Sequence, residues 1–288
     1  MCSSDLTMIR RVVNALEITA RHDRNSSPVF LRVGGDGDGA GSTFFLDLGD
    51  ASGRAVKIRA DGWSVVDRSA VQFRRPDGLL PLPVPNRDGS IELLRPYVNL
   101  TESHFRRAIV WLAAAFLPCG PHPVLVIRGD DGSARSTLAR VLKLLIDPHV
   151  RPILTEHETA TELMSTRLDT WLPAYDDVSL MPAWLSKTLS DLVRSRSLAS
   201  DSDHSSKELR TPPGDRPLIL SGVENGTDQF KQSPLCIHLQ LRPILFDDRR
   251  GEREFWSSFQ ADYPRILAGI FDVLTEGLRL VQSDRVPA

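Results

Sequence analysis

The chain has few cysteines, no long apolar run and almost no net charge, and each scarcity removes a class of protein. Three cysteines in 288 residues, Cys2, Cys119 and Cys236, lie far apart, and none falls in a CxxC or Cys/His ligand spacing. That excludes a disulfide scaffold and predicts a reducing, cytoplasmic setting. The longest uncharged apolar run, Ile109 to Leu117, falls well short of the ~20 residues a membrane helix needs, so no membrane partner is expected. The formal net charge is −2, so no global positive field draws the chain to nucleic acid, and such contact must come from local clusters. The arginine pairs, among them Arg74-Arg75 and Arg249-Arg250, read as solvated faces offset by nearby carboxylates. Aromatic residues make up 7% of the chain, and Trp63, Trp111, Trp171, Trp184 and Trp256 lie within apolar patterns that suit a core better than base stacking. No HExxH spacing and no GxSxG elbow is present, which leaves metallohydrolase and serine-hydrolase chemistry unsupported.

What is present organises into a β-rich part and an alternating part. Residues 1–6, "MCSSDL", lack the basic and apolar regions of a signal peptide and are expected to be a non-native or disordered start. Residues 7–78 read as an N-terminal amphipathic helix followed by short β-branched or aromatic stretches between Gly, Asp and Ser clusters, the pattern of a small antiparallel sheet. Within it, "GGDGDGAGS" precedes a strand rather than a helix and reads as a hairpin tip. Residues 79–100 begin with Pro81, Pro83 and Pro85, each fixing a backbone angle and removing a donor, and are expected to form an extended linker. From residue 101 to 288, helices and strands alternate, which implies a mostly parallel sheet with helices on its faces.

The stretch "VLVIRGDDGSARSTLARVLKLL", residues 124–145, carries the chemistry. It reads as a buried strand, a glycine turn and an amphipathic helix, the context of the phosphate loop GxxxxGK[ST]. In such a loop, backbone amides and the helix N-terminus receive phosphate, a lysine bridges phosphate oxygens and a Ser or Thr hydroxyl takes Mg2+. Gly129, Gly132, Ser133, Ala134, Arg135, Ser136 and Thr137 are the candidate ATP-binding residues. Ala134 replaces the last glycine and is tolerable if its backbone need not be left-handed. Arg135 replaces the lysine. It keeps the charge on a longer, planar fork and cannot place a compact ammonium between two oxygens, so hydrolysis should suffer more than binding.

Magnesium needs a second oxygen ligand at the end of another buried strand. "TWLPAYDDVS" supplies Asp176 and Asp177, so Ser136 and Asp176 are the expected Mg2+ ligands and Asp176 and Asp177 the catalytic carboxylates. In "RPLILSGVEN", Ser221 ends a strand near the expected place of the γ-phosphate and its attacking water, with Asn225 an equal rival.

The blocks "GDDGSARSTLARVLKLLIDP", "AYDDVSLMPAWLSKTLSDL", "RPLILSGVEN" and "EFWSSFQADYPRILAGIFDVL" resemble ATP-binding, helicase-like proteins of phages and bacterial mobile elements, related to primase-associated superfamily 3 and AAA+ helicases. The resemblance spans roughly residues 28–282. It implies an α/β fold of P-loop NTPase type, preceded by the β-rich module, and ATP hydrolysis coupled to movement on DNA in a homo-oligomeric ring. Relatives typically continue upstream, which makes this chain a fragment or a shortened form on that comparison. Ser221 falls where the family usually has asparagine, and Gln232-Ser233-Pro234 occupies the place of a basic residue that reaches a neighbouring subunit. The loop 197–215 is short and leaves Lys207 and Arg210 for DNA. Lysine, polar sensor and trans-acting arginine are altered together, so hydrolysis is expected to be weak. The alternative is an inactive pseudo-ATPase that serves as a DNA- or protein-binding scaffold.

Overall fold

The computed structural model describes residues 28–35, 43–120, 122–154, 169–176, 216–222 and 236–284, with residues 8, 11–16 and 19 near the start. Two larger sheets and one long helix organise these residues. The first sheet is a four-stranded antiparallel meander of β2 (Val33–Gly35), β3 (Phe44–Asp47), β4 (Ala55–Arg59) and β5 (Gly62–Val66). The expected hairpin is real to the extent that Gly35 pairs with Phe44; its tip lies outside the described residues. The outer stretches depart from the expected antiparallel sheet, because β1 (Val29–Phe30) and β6 (Gln72–Phe73) pair with each other in parallel.

The second sheet is parallel throughout, in the order β10 (Cys236–Gln240), β7 (Val124–Arg128), β9 (Leu218–Ser221), β8 (Ala174–Tyr175). Val124, Leu125, Val126 and Ile127 are all buried. Such a run, apolar at successive positions rather than alternate ones, belongs to a central strand covered on both faces. Helix α1 (Glu102–Ala115) packs on β10, and α2 (Arg135–Ile146) packs on β7, β8 and β9. The described part of the chain is thus mixed α/β, with a parallel sheet and packed helices.

The last helix, α3 (Glu252–Asp284), joins the two sheets. Its first half buries Phe259 and Tyr263 near α1 and α2, while Phe271 further along meets Trp63 of β5 at 5.6 Å and Phe116 at 5.7 Å, both edge to face. The Trp63 indole also donates to Asp272 at 2.8 Å. One apolar cluster therefore runs without a break from Val33 and Leu46 through Leu94 and Phe271 to Leu125 and Leu142.

The proline-rich stretch is not a free-running linker. Leu82, Leu94 and Tyr97 are buried, and residues 91–97 form a 3-10 helix against α3. Its amides are satisfied in passing: Leu80 donates to Pro148, Leu82 to Leu48 and Asn86 to Pro264. The prolines hold the segment extended at little entropic cost, while Leu82 between them and Leu94 beyond give it apolar side chains to bury. At Gly269, a Cβ would run into the backbone of Ser90 and Ile91, so α3 and this segment touch main chain to main chain.

A buried ion cluster ties the two sheets. Asp147, just after α2, accepts from Arg32 at 3.1 Å and from Lys143 at 2.8 Å. Thr170, at 2.6 Å, and the amides of Trp171 and Leu172 complete its shell. Burial alone would raise the Asp147 carboxyl, but Lys143 and Arg32 together hold it well below the usual carboxylate range.

Candidate functional site

Strands β7, β9 and β8 run parallel, so their carboxyl ends emerge on one edge, the usual place for a ligand in an open α/β sheet. The turn Gly129–Ala134 leaves β7 at that edge and leads into α2. A cavity of about 1110 Å³ opens beside it, lined by Gly132, Ala134, Ser136, Thr137 and Asp176. Residues predicted from separate stretches of sequence, the glycine turn and the acidic strand end, therefore face the same space.

The turn's shape depends on its small residues. A Cβ at Gly129 would collide with the Ser133 hydroxyl and come within 3.1 Å of Leu241, so β10 could not pass so close to any other residue. Gly132 has φ 78° and Ala134 φ 67°, both left-handed. For Ala134 the favourable condition fails: its backbone is left-handed where a glycine would sit without strain, and the Cβ carries a penalty of roughly 1–2 kcal/mol. Within the turn, the Ser133 amide donates to Asp130 at 3.1 Å and the Leu138 amide to Ala134 at 3.0 Å. Among the described residues, no protein group accepts from the amides of Gly132, Ala134, Ser136 or Thr137. These donors cluster at the positive end of α2, where an anion is favoured.

Arg135 does not line the cavity. Its side chain, 16% exposed, reaches back to Asp131 at 3.1 Å. Because Asp131 is fully exposed, the pair itself contributes little to stability, but it turns the guanidinium towards the loop's own carboxylate. Ser221 is completely buried at the end of β9, its hydroxyl without a partner among the described residues, and it does not line the cavity either. The Ser133 hydroxyl is likewise buried and has no partner among them. Asp177, Asn225, Lys207, Arg210 and Gln232-Ser233-Pro234 lie outside the described residues.

The opposite wall comes from residues that sequence reasoning passed over. Tyr97, Phe255 and Trp256 line the cavity together with Arg242, Arg249 and Arg250. Trp256 is half-buried: it packs against the core, edge to face with Phe259 at 5.8 Å, and also carries the Arg140 guanidinium 4.5 Å from its ring centroid, so it sits at the core's edge and reaches the cavity. Asn99 fastens this wall to the turn by donating to the carbonyls of Ser133, at 3.1 Å, and Arg242, at 2.5 Å. The sequence signal for these residues is weak. Arginine pairs and aromatic residues at helix starts are common, and only the return of the chain after β10 brings them across from the glycine turn.

Among the described residues, no group of three or more His, Cys, Asp or Glu is placed to hold a metal ion, and no helix is long and apolar enough to cross a membrane.

No curated protein matches the sequence. Among solved structures, an apo form of the NrS-1 C-terminal region is similar at a TM-score of 0.43 and 10% identity, covering 85% of this chain and 72% of that one. A second apo structure of the same region is similar at a TM-score of 0.44 and 12% identity, covering 83% and 71%. At these scores the likeness carries nothing about activity. The family model of the actinomycete integrative conjugative element replication protein matches residues 91–288, a span that holds the glycine turn, the parallel sheet and the cavity, and the chain belongs to that family of mobile-element replication proteins.

Proposed function

We propose that the chain binds ATP with Mg2+ at the turn 129–137, as a P-loop ATPase of helicase-like type with weak hydrolysis, acting on DNA during replication of a mobile element. The observation that carries this reading is the set of amides at Gly132, Ala134, Ser136 and Thr137, which lack an acceptor among the described residues and border a cavity shared with Asp176. The residues fit the group. The left-handed backbone at Gly132 shapes the turn that borders the cavity, and the Ser136 hydroxyl and Asp176 carboxylate are the hard oxygen donors Mg2+ prefers. The remaining Mg2+ ligands would be water and phosphate oxygens, and the ion would neutralise charge on the transferring phosphate. The amides and the α2 N-terminus orient the phosphates, and Tyr97, Phe255 and Trp256 line the opposite side.

Weak hydrolysis follows from two placements. Arg135 is turned to Asp131, and Ser221 is short and sealed in the sheet, so neither is set to stabilise a γ-phosphate in flight. Lys207 and Arg210 remain proposed DNA contacts, Asp177 a proposed catalytic carboxylate, and a homo-oligomeric ring the proposed assembly.

The Arg135–Asp131 pair also favours a second reading, an inactive scaffold in a replication complex. Calorimetry with Mg-ATP on the wild-type chain and on Arg135→Lys separates the two. Under the first reading the wild type binds, and the lysine variant gains at least ~1.4 kcal/mol, about tenfold in affinity, together with measurable phosphate release. Heat from neither protein leaves the scaffold.

A further inference from the structure

The glycine turn is faced by a cation from elsewhere in the chain. After β10 the backbone folds back over the turn: the Ile244 amide donates to the Gly132 carbonyl at 3.3 Å, and Arg249 Nε donates to the Ile244 carbonyl at 3.5 Å. The Arg249 guanidinium is thereby set against the turn, with Nη2 only 2.6 Å from the point a methyl on Gly132 would occupy. That carbonyl is its one hydrogen-bond partner among the described residues, no carboxylate there pairs with it, and its guanidinium carbon lies 6.0 Å from the ring centroid of the exposed Phe246. Its neighbour is held more closely, between two rings. Arg250 sits 5.8 Å from the Tyr97 ring and 5.5 Å from that of Phe255, and donates to the Pro96 carbonyl at 3.4 Å.

We propose that Arg249 supplies, within the same chain, the positive charge that grips the polyphosphate in place of the lysine missing at position 135. The proposal rests on the nucleotide reading above. A planar fork suits this position better than position 135. It approaches from across the cavity, where its reach is needed and two parallel N–H groups can meet two phosphate oxygens. From the first turn of α2, by contrast, a long guanidinium overshoots and folds back on Asp131. Glycine at 132 then has two causes, its left-handed backbone and the room it leaves for Arg249. The ligand class is a nucleoside di- or triphosphate: on the nucleotide reading the loop amides hold one phosphate and Arg249 grips another, so a monophosphate would engage only one of the two.

The test is binding of Mg-ATP and of AMP to the full chain and to Arg249→Ala, Arg249→Lys and, as controls away from the cavity, Arg59→Ala and Arg279→Ala, with circular dichroism confirming that each variant is folded. Loss of one charge-assisted contact predicts a 10- to 100-fold fall, by rough estimate, in ATP affinity for Arg249→Ala. AMP affinity should be unchanged, Arg249→Lys should recover part of the loss, and the other two variants should move ATP by less than about threefold. Wild-type-like ATP binding by Arg249→Ala, or an equal loss of ATP and AMP, overturns the role of Arg249 while the nucleotide site stands. Absence of binding by the wild type overturns the nucleotide reading, and this role with it.

Discussion

Replacing Asp147 with asparagine tests whether the two sheets are held together by charge as well as by apolar packing. The carboxylate receives Arg32 at 3.1 Å, Lys143 at 2.8 Å, Thr170 at 2.6 Å and the amides of Trp171 at 2.9 Å and Leu172 at 3.1 Å. The two cationic side chains are 0% and 2% exposed. Asparagine keeps the shape and one carbonyl oxygen, so most amide contacts survive, but Arg32 and Lys143 are left buried with no counter-charge. Uncompensated burial of that kind costs about 3–5 kcal/mol. Lys143→Met should cost less, under ~2 kcal/mol, because Asp147 would keep Arg32 and a desolvated charge would be gone. Urea unfolding at neutral pH gives both numbers.

The pH dependence supplies a second readout. Asp147 is held below its unfolded value of about 3.9, so the folded state is stabilised above that pH and loses the contribution as pH falls towards the folded value. The wild-type stability curve should therefore drop more steeply below about pH 4 than that of Asp147→Asn. A loss under ~1 kcal/mol at neutral pH, or parallel curves in acid, would refute the claim that this cluster carries a net electrostatic contribution.

Further predictions concern the turn and the seam between the sheets. Ala134→Gly removes a left-handed Cβ at φ 67°; after the looser unfolded chain is subtracted, it should stabilise by up to about 1 kcal/mol, a rise of roughly 1–3 °C in melting temperature. A lower melting temperature would show that the turn needs that methyl. Asp272→Ala deprives the Trp63 indole of its acceptor at 2.8 Å and should cost about 1 kcal/mol. Faster hydrogen exchange should then appear in β4 and β5, and unchanged exchange there would mean the Phe271 contacts alone hold the seam.

The elements were legible wherever a local pattern was unambiguous. The unbroken apolar run of Val124–Ile127 announced a central strand, the spacing of Leu138, Leu142 and Leu145 announced α2, and the glycines between them announced the turn. The acidic end of β8 was readable because an apolar strand followed by carboxylates is also local. Lys143 offered a clue that went unread: a lysine inside an apolar helical face, four residues before an aspartate, is the local sign of a buried pair.

What the sequence determined by itself was therefore the strand, turn and helix around residues 124–146, since each depends on neighbours a few positions away and on backbone angles that glycine alone takes without strain. Only the tertiary structure decided that residues 79–100 are docked rather than free, that Ala134 is left-handed, and that Arg249 faces the turn. The docking of residues 79–100 and the approach of Arg249 depend on segments far apart in the chain, such as Asn86 with Pro264 and Gly132 with Ile244, where packing and hydrogen bonding, rather than local preference, set which residues share a space.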